Sequence, residues 1–130
     1  MSRRLLALAA LALAFVLAAP GAHAAAPLPF DPAAFQQAQA DGKTIVVDFH
    51  ADWCPTCKKQ APVIVELLKE ERFAGMVVFV ADYDTQIELK RQLKVSRQST
   101  LVVFKGEKEV GRSTGVTRKA GIASLFEKGL

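Results

Sequence analysis

Cysteine is scarce in this chain of 130 residues: Cys54 and Cys57 are its only two. That number excludes the multi-bridge framework that staples many small exported domains, and it excludes a four-cysteine zinc site. Long apolar stretches are missing as well. The longest unbroken run, Leu5 to Ala19, has 15 residues, short of the roughly 20 that a helix needs to cross a bilayer. Charge of one sign is thin, since 17 Lys+Arg against 13 Asp+Glu leave a formal net charge of +4. No proline follows Pro62.

What is present begins with the N-terminus. Arg3 and Arg4 precede the Leu5–Ala19 run, and Pro20, Gly21 and the triplet Ala22-His23-Ala24 follow it. A charged start, an apolar middle and a small-residue cleavage site read as a secretory signal peptide over residues 1–24, although length alone leaves an uncleaved anchor open. No cysteine lies near the cleavage region to carry lipid, which argues against a lipoprotein. Without residues 1–24 the excess of basic over acidic residues falls from four to two, and the apolar share from 51% to about 45%, the ordinary globular range. Nucleic acid is not an expected partner. Residues 25–130 form one small domain, expected to be monomeric.

Along that domain, residues 25–29 read as an extended lead-in. Asp31-Pro32 is an N-cap and first-turn proline opening a helix to about Ala40, ended by Asp41-Gly42. Thr44–His50 is β-branched and almost continuously apolar, which suits a strand buried on both faces, and Asp48 stands out within it. After Cys57, apolar residues at Ala61, Ile64, Val65 and Leu68 mark one face of a helix to about Arg72, with Pro62 expected to kink it. Strands follow over Met76–Ala81, Thr100–Phe104 and Glu109–Ser113, with a helix over Thr85–Leu93 and a hairpin turn at Lys105-Gly106-Glu107-Lys108. Thr117 is expected to cap a last helix whose Ile122, Leu125 and Phe126 face inward. The order α-β-α-β-α-β-β-α predicts an α/β fold with a mixed sheet of about four to five strands flanked by helices.

A bare C-x-x-C is compatible with half a zinc site, a haem attachment, a structural bridge or a redox pair. Lys58 stands where haem attachment needs histidine. Zinc would find only Cys54, Cys57 and His50. A bridge closing a loop of about four residues contributes only ~2 kcal/mol by chain entropy before strain is subtracted. Position favours redox use: Cys54 falls between a strand end and a helix start, where unpaired N–H groups and the helix dipole favour a thiolate. Cys54 is then the nucleophile and Cys57, one turn on and more buried, the resolving thiol.

The stretch Val46-Val47-Asp48-Phe49-His50-Ala51-Asp52-Trp53-Cys54-Pro55-Thr56-Cys57-Lys58, with Ala61-Pro62 after it, resembles the active-site strand and helix of the thioredoxin family. Similarity continues more loosely through Asp82-Tyr83-Asp84, Thr100–Gly106 and Gly115. The resemblance implies a thioredoxin-like fold and thiol–disulfide exchange with protein disulfides, carried by the Cys54–Cys57 pair with no other cofactor. It implies that Asp48 is the buried acid beneath the cysteines, and the apolar flanks of Asp48 agree with a raised pKa suited to moving a proton at Cys57. Trp53, Pro55, Thr56, Ser99 and Thr100 are the expected partner-facing residues. His50 is read either as a group that tunes the thiolate or binds a metal, or as a strand-end histidine with neither role. Lys58 is read either as support for the thiolate or as a solvated lysine.

Two positions depart from the family. The cis-proline usually found before the strand that starts at Thr100 is Ser99 here. A cis bond before serine would cost ~2.5–4 kcal/mol, so the Gln98–Ser99 bond is expected trans and the loop reshaped. The lysine often found near the buried acid is replaced by Val80, so Asp48 should be perturbed mainly by burial. The Cys-Pro-Thr-Cys version resembles that of periplasmic thioredoxins that keep apocytochrome c thiols reduced. The expectation is a periplasmic oxidoreductase, reducing rather than oxidising, supplied by a membrane-embedded thiol donor. The alternative is a soft-metal carrier holding copper with Cys54, Cys57 and His50.

Overall fold

The run Thr44–His50 is buried along nearly its whole length because it lies at the centre of the sheet, and the rest of the domain is arranged around it. The computed structural model describes residues 25–130; the expected signal segment lies outside the described residues. In chain order the elements are β1 (Leu28–Pro29), α1 (Pro32–Ala40), β2 (Thr44–His50), α2 (Pro55–Leu67), β3 (Val77–Asp82), α3 (Ile87–Leu93), β4 (Thr100–Lys105), β5 (Lys108–Thr114) and α4 (Lys119–Glu127), with a single 3₁₀ turn at Glu71–Phe73. The sheet order is β1-β3-β2-β4-β5. Strands β1, β3 and β2 run parallel, while β4 is antiparallel to both β2 and β5, so the sheet is mixed as expected.

Alternation along β2 divides the core. Ile45, Val47 and Phe49 point to the side that holds Phe35 of α1 and Leu89 of α3. Val46 points to the opposite side, with Ile64 and Leu67 of α2 and Ile122 and Phe126 of α4. The period of two therefore puts Asp48 on the α2 and α4 side, one step along from Val46. Its register partners are Val80 on β3 and Leu101 on β4, both apolar.

Several boundaries differ from the sequence reading, each for a local reason. The lead-in is not featureless: Leu28 and Pro29 pair with Phe79 and Val80, and the Phe30 amide donates to the Val80 carbonyl at 2.9 Å, adding a fifth strand. Proline is tolerated there because the strand is at the sheet edge. Helix α2 ends at Leu67, short of Arg72, because Phe73 leaves the helical path to stack edge-on against Phe126, centroids 5.7 Å apart. Pro62 lies inside that helix. Helix α3 begins at Ile87 because the Asp82 carboxylate captures the amides of Asp84 (2.8 Å) and Thr85 (3.3 Å), holding that segment in a turn. In α4 the cap position is Arg118, with extended backbone and no side-chain cap bond, so Thr117 does not serve as the cap.

Candidate active site

Strand β2 delivers the chain to a tight turn, Ala51 to Trp53, and α2 starts immediately afterwards with Pro55 at its first position. Cys54 is the N-cap of α2: its backbone is extended (φ −84°, ψ 113°) and its Sγ accepts the Cys57 amide at 3.1 Å. A thiol thus occupies the place that serine or aspartate usually fills at a helix start, facing the orphan N–H groups and the positive end of the dipole. Both cysteines are free thiols, each 1% exposed. Surface exposure does not separate the two, but Cys57 is the deeper within the surrounding protein, as expected, and burial weighs on it accordingly.

Burial opposes charge on Cys54, but the Cys57 thiol and amide, with the nearby Ser99 side chain and Thr56 backbone, outweigh it and bring the Cys54 pKa below the ordinary thiol value. Burial pushes Cys57 up to about 11, and the neighbouring Cys54 adds to the rise by hydrogen bonding and by charge. One thiol is therefore prepared to carry negative charge while the other keeps its proton, the division that nucleophile and resolving thiol require.

Asp48 lies on the α2 side of the sheet, on the strand that leads into the cysteine pair. It is 3% exposed, and its Oδ1 has no hydrogen-bond partner. Burial raises its pKa from 3.8 to about 6, with His50 pulling the other way. Asp48 faces a cavity of about 240 Å³, whose lining includes His50, Ala61, Ile64 and Val80. His50, two residues along the same strand face, is half-buried, and its Nε2 is 3.3 Å from Asp52 Oδ1. Its charge influence falls on Asp48, a role the sequence reading did not give it, and not on either cysteine. As a third copper ligand it is misplaced, since among the described residues no group of three or more His, Cys, Asp or Glu side chains is positioned to hold a metal ion. Lys58 sits exposed on the first turn of α2.

Around the pair, Trp53 is 57% exposed, held by a 2.8 Å bond from its Nε1 to Asp84 Oδ2. Pro55 is exposed and Thr56 half-buried beside it. The Ser99 bond is trans, with no cis peptide among the described residues, and the loop is reshaped: Ser99 adopts φ +55°, in the left-handed region. For a residue with a Cβ that conformation costs of order 1–2 kcal/mol, and it persists only where neighbours hold it. They do, since the Ser99 amide donates to the Phe49 carbonyl (2.8 Å), the Gly115 amide donates to the Ser99 carbonyl (2.9 Å), and the Ser99 hydroxyl donates to the Gln98 carbonyl (2.6 Å). Thr100, expected to face a partner, is 3% exposed, and its hydroxyl bonds the Arg97 carbonyl and Thr114. It is scaffold rather than contact surface, because the β4–β5 pairing turns it inward.

The sequence reading gave no role to two residues. Tyr83 packs against Ala51 and the cysteines, its hydroxyl donating to the Ser96 carbonyl at 3.0 Å. Gln60 is fully buried on α2. The signal for it was in the sequence, because a polar residue three positions after Cys57 falls on the same helical face as Ile64.

A mixed, helix-flanked sheet with a dithiol at a helix N-terminus and a buried carboxyl on the strand before it defines a protein of thiol–disulfide exchange. The Thioredoxin family model matches residues 27–128, and this chain belongs to the thioredoxin family. Among solved structures, Trxlp from Edwardsiella tarda EIB202 is 38% identical with a TM-score of 0.75, covering 78% of this chain and 98% of its own. Thioredoxin H-type of Brassica campestris is 33% identical over 90 residues, 69% of this chain and 72% of its own length. A bifunctional thioredoxin reductase/thioredoxin of Mycobacterium leprae (strain TN) is 35% identical over 92 residues, but the match spans only 20% of that longer protein. Membership makes the protein a thiol–disulfide oxidoreductase whose working group is its cysteine pair, with no external cofactor, acting on protein disulfides.

Proposed function

We propose that the protein is an exported, periplasmic reductase of protein disulfides. The reducing direction is supported by the likeness of the Cys-Pro-Thr-Cys motif to that of thioredoxins that keep thiols reduced, and the exchange step by Asp48. With a pKa of about 6 it is mostly ionised at neutral pH, and so is prepared to accept the Cys57 proton, the one that must leave when the pair gives up electrons. The Cys54 thiolate attacks one sulfur of a substrate disulfide, forming a mixed disulfide and releasing the other substrate sulfur as a thiolate, which takes a proton from water. Cys57 then loses its proton, with Asp48 as the accepting base, and attacks the Cys54 sulfur. The Cys54–Cys57 disulfide forms, the second substrate thiolate departs, and the substrate has gained two electrons.

The returning two electrons come from a membrane-embedded thiol donor, because a soluble domain cannot draw them across a membrane by itself. Export is supported by the Arg3-Arg4 start, the apolar Leu5–Ala19 run and the Ala22-His23-Ala24 site. The domain acts as a monomer, with Trp53, Pro55 and Thr56 as the partner-facing rim.

Equilibration of the pair against dithiothreitol buffers tests the direction. A potential below about −220 mV is expected, and one near −120 mV would make the protein an oxidant. Fractionation of the producing cell, with N-terminal sequencing of the purified product, tests export: a chain starting at Ala25 outside the cytoplasm is expected, and an intact chain in the cytosol would refute it.

A further inference from the structure

The Ser99 loop faces the cysteine pair in a backbone conformation that serine disfavours, and it has no proline to stiffen it. The residue that reaches it from the active-site helix is Gln60. Its Nε2 donates both to the Ser99 carbonyl (3.2 Å) and to the Val116 carbonyl (2.8 Å), joining α2 to the loop before β4 and the segment after β5. Its Oε1 has no hydrogen-bond partner despite complete burial. A buried amide with half its capacity unused is a poor way to fill a core, since an apolar side chain of the same shape would avoid an orphaned acceptor. What the amide provides is its two donor bonds. The Gly115 amide also bonds the Ser99 carbonyl, so the clamp has three parts: α2, the Ser99 loop and the Gly115–Val116 turn.

We infer that Gln60 is a positioning residue, which acts through Ser99 by pinning that loop against Cys54 and Cys57 and so sets both the substrate-facing edge and the environment of the nucleophile. The inference rests on the exchange chemistry of the cysteine pair and is independent of its direction and of its compartment. Ser99 adjoins both thiols, its side chain at Cys54 and its backbone at Cys57, which gives the loop a route to the pair.

The test is Gln60→Met, which keeps volume and removes both bonds, in the full-length domain reduced with dithiothreitol. Insulin is the protein disulfide and 5,5′-dithiobis(2-nitrobenzoate) the small one. Loss of a clamp should lower kcat/KM for insulin about tenfold while the small disulfide changes less than about threefold, and thiolate absorbance should show the Cys54 midpoint rising. In a Ser99→Gly background, where glycine takes the left-handed conformation without strain, the Gln60→Met loss on insulin should shrink to about threefold. An unchanged Cys54 midpoint with equal losses on both disulfides, or an undiminished loss in the Ser99→Gly background, would make Gln60 a packing residue and overturn the inference. Wild-type reaction with the small disulfide reports separately on the exchange chemistry itself. If Gln60→Met does not fold, the wild-type protein still decides: NMR should show slow exchange of the Gln60 side-chain amide and scalar coupling to the Ser99 and Val116 carbonyls, and a freely exchanging amide would refute the clamp.

Discussion

Asp48 offers the sharpest quantitative test, because its ionisation should be visible in stability as well as in catalysis. Its pKa rises from 3.8 to about 6 on folding, chiefly through burial. Two units at 1.36 kcal/mol each make ionisation about 3 kcal/mol more costly in the folded protein than in the unfolded chain. At 3% exposure, solvent does little to screen that cost. Between pH 4 and pH 6 the native state holds the proton more tightly than the unfolded state does, so stability must fall as pH rises through that window. Asp48→Asn removes the titration and leaves the shape. Its uncharged amide also lacks a partner, which adds a pH-independent offset of ~1–3 kcal/mol. The informative quantity is therefore the pH dependence of the difference in unfolding free energy, measured by urea titration of both reduced proteins from pH 3.5 to pH 8. The variant should gain on the wild type by about 3 kcal/mol across the window and level off above about pH 7. A difference that stays flat would refute the claim that Asp48 is desolvated in the fold.

Other consequences can be checked on single variants. Cys57→Ser should accumulate mixed disulfides through Cys54, while Cys54→Ser should accumulate few; gel mobility of alkylated complexes before and after reduction reads the difference. Ser99→Gly should stabilise the domain by about 1 kcal/mol through relief of the left-handed backbone, with Ser99→Pro destabilising it by ~3 kcal/mol or more, since proline cannot reach φ +55° and would remove the amide that donates to Phe49; denaturant midpoints decide. Trp53→Ala should change stability by less than ~0.5 kcal/mol, given the exposure of its ring, yet raise KM for insulin several-fold. Phe126→Ala should cost ~3–5 kcal/mol in chemical denaturation, because the ring is fully buried against Phe73.

Much of the site was legible before any coordinates. An aspartate set among Val46, Val47 and Phe49 announces burial, and a C-x-x-C between a β-branched run and an amphipathic one announces a helix N-terminus. The boundaries that shifted did so where a distant partner intervened. The β1 strand forms because Val80 has an open edge, and α2 stops where Phe73 must meet Phe126, a residue more than fifty positions later. Periodicity carries no information about such pairings, since each strand or helix is read against itself.

Local chemistry therefore determined that this chain holds a dithiol at a helix start, with a buried acid on the strand before it, in an α/β fold. Only the tertiary structure decided how that dithiol is tuned. Burial holds the Cys57 proton on, while hydrogen bonds that α2 and the Ser99 loop bring together favour charge on Cys54. The strained serine is held by a bond it donates to Phe49 and by bonds it accepts from Gln60 and Gly115, residues distant from it along the chain. Spacing and propensity describe what a segment can be, but the charge a group carries depends on what surrounds it, and that is set by packing across the whole fold.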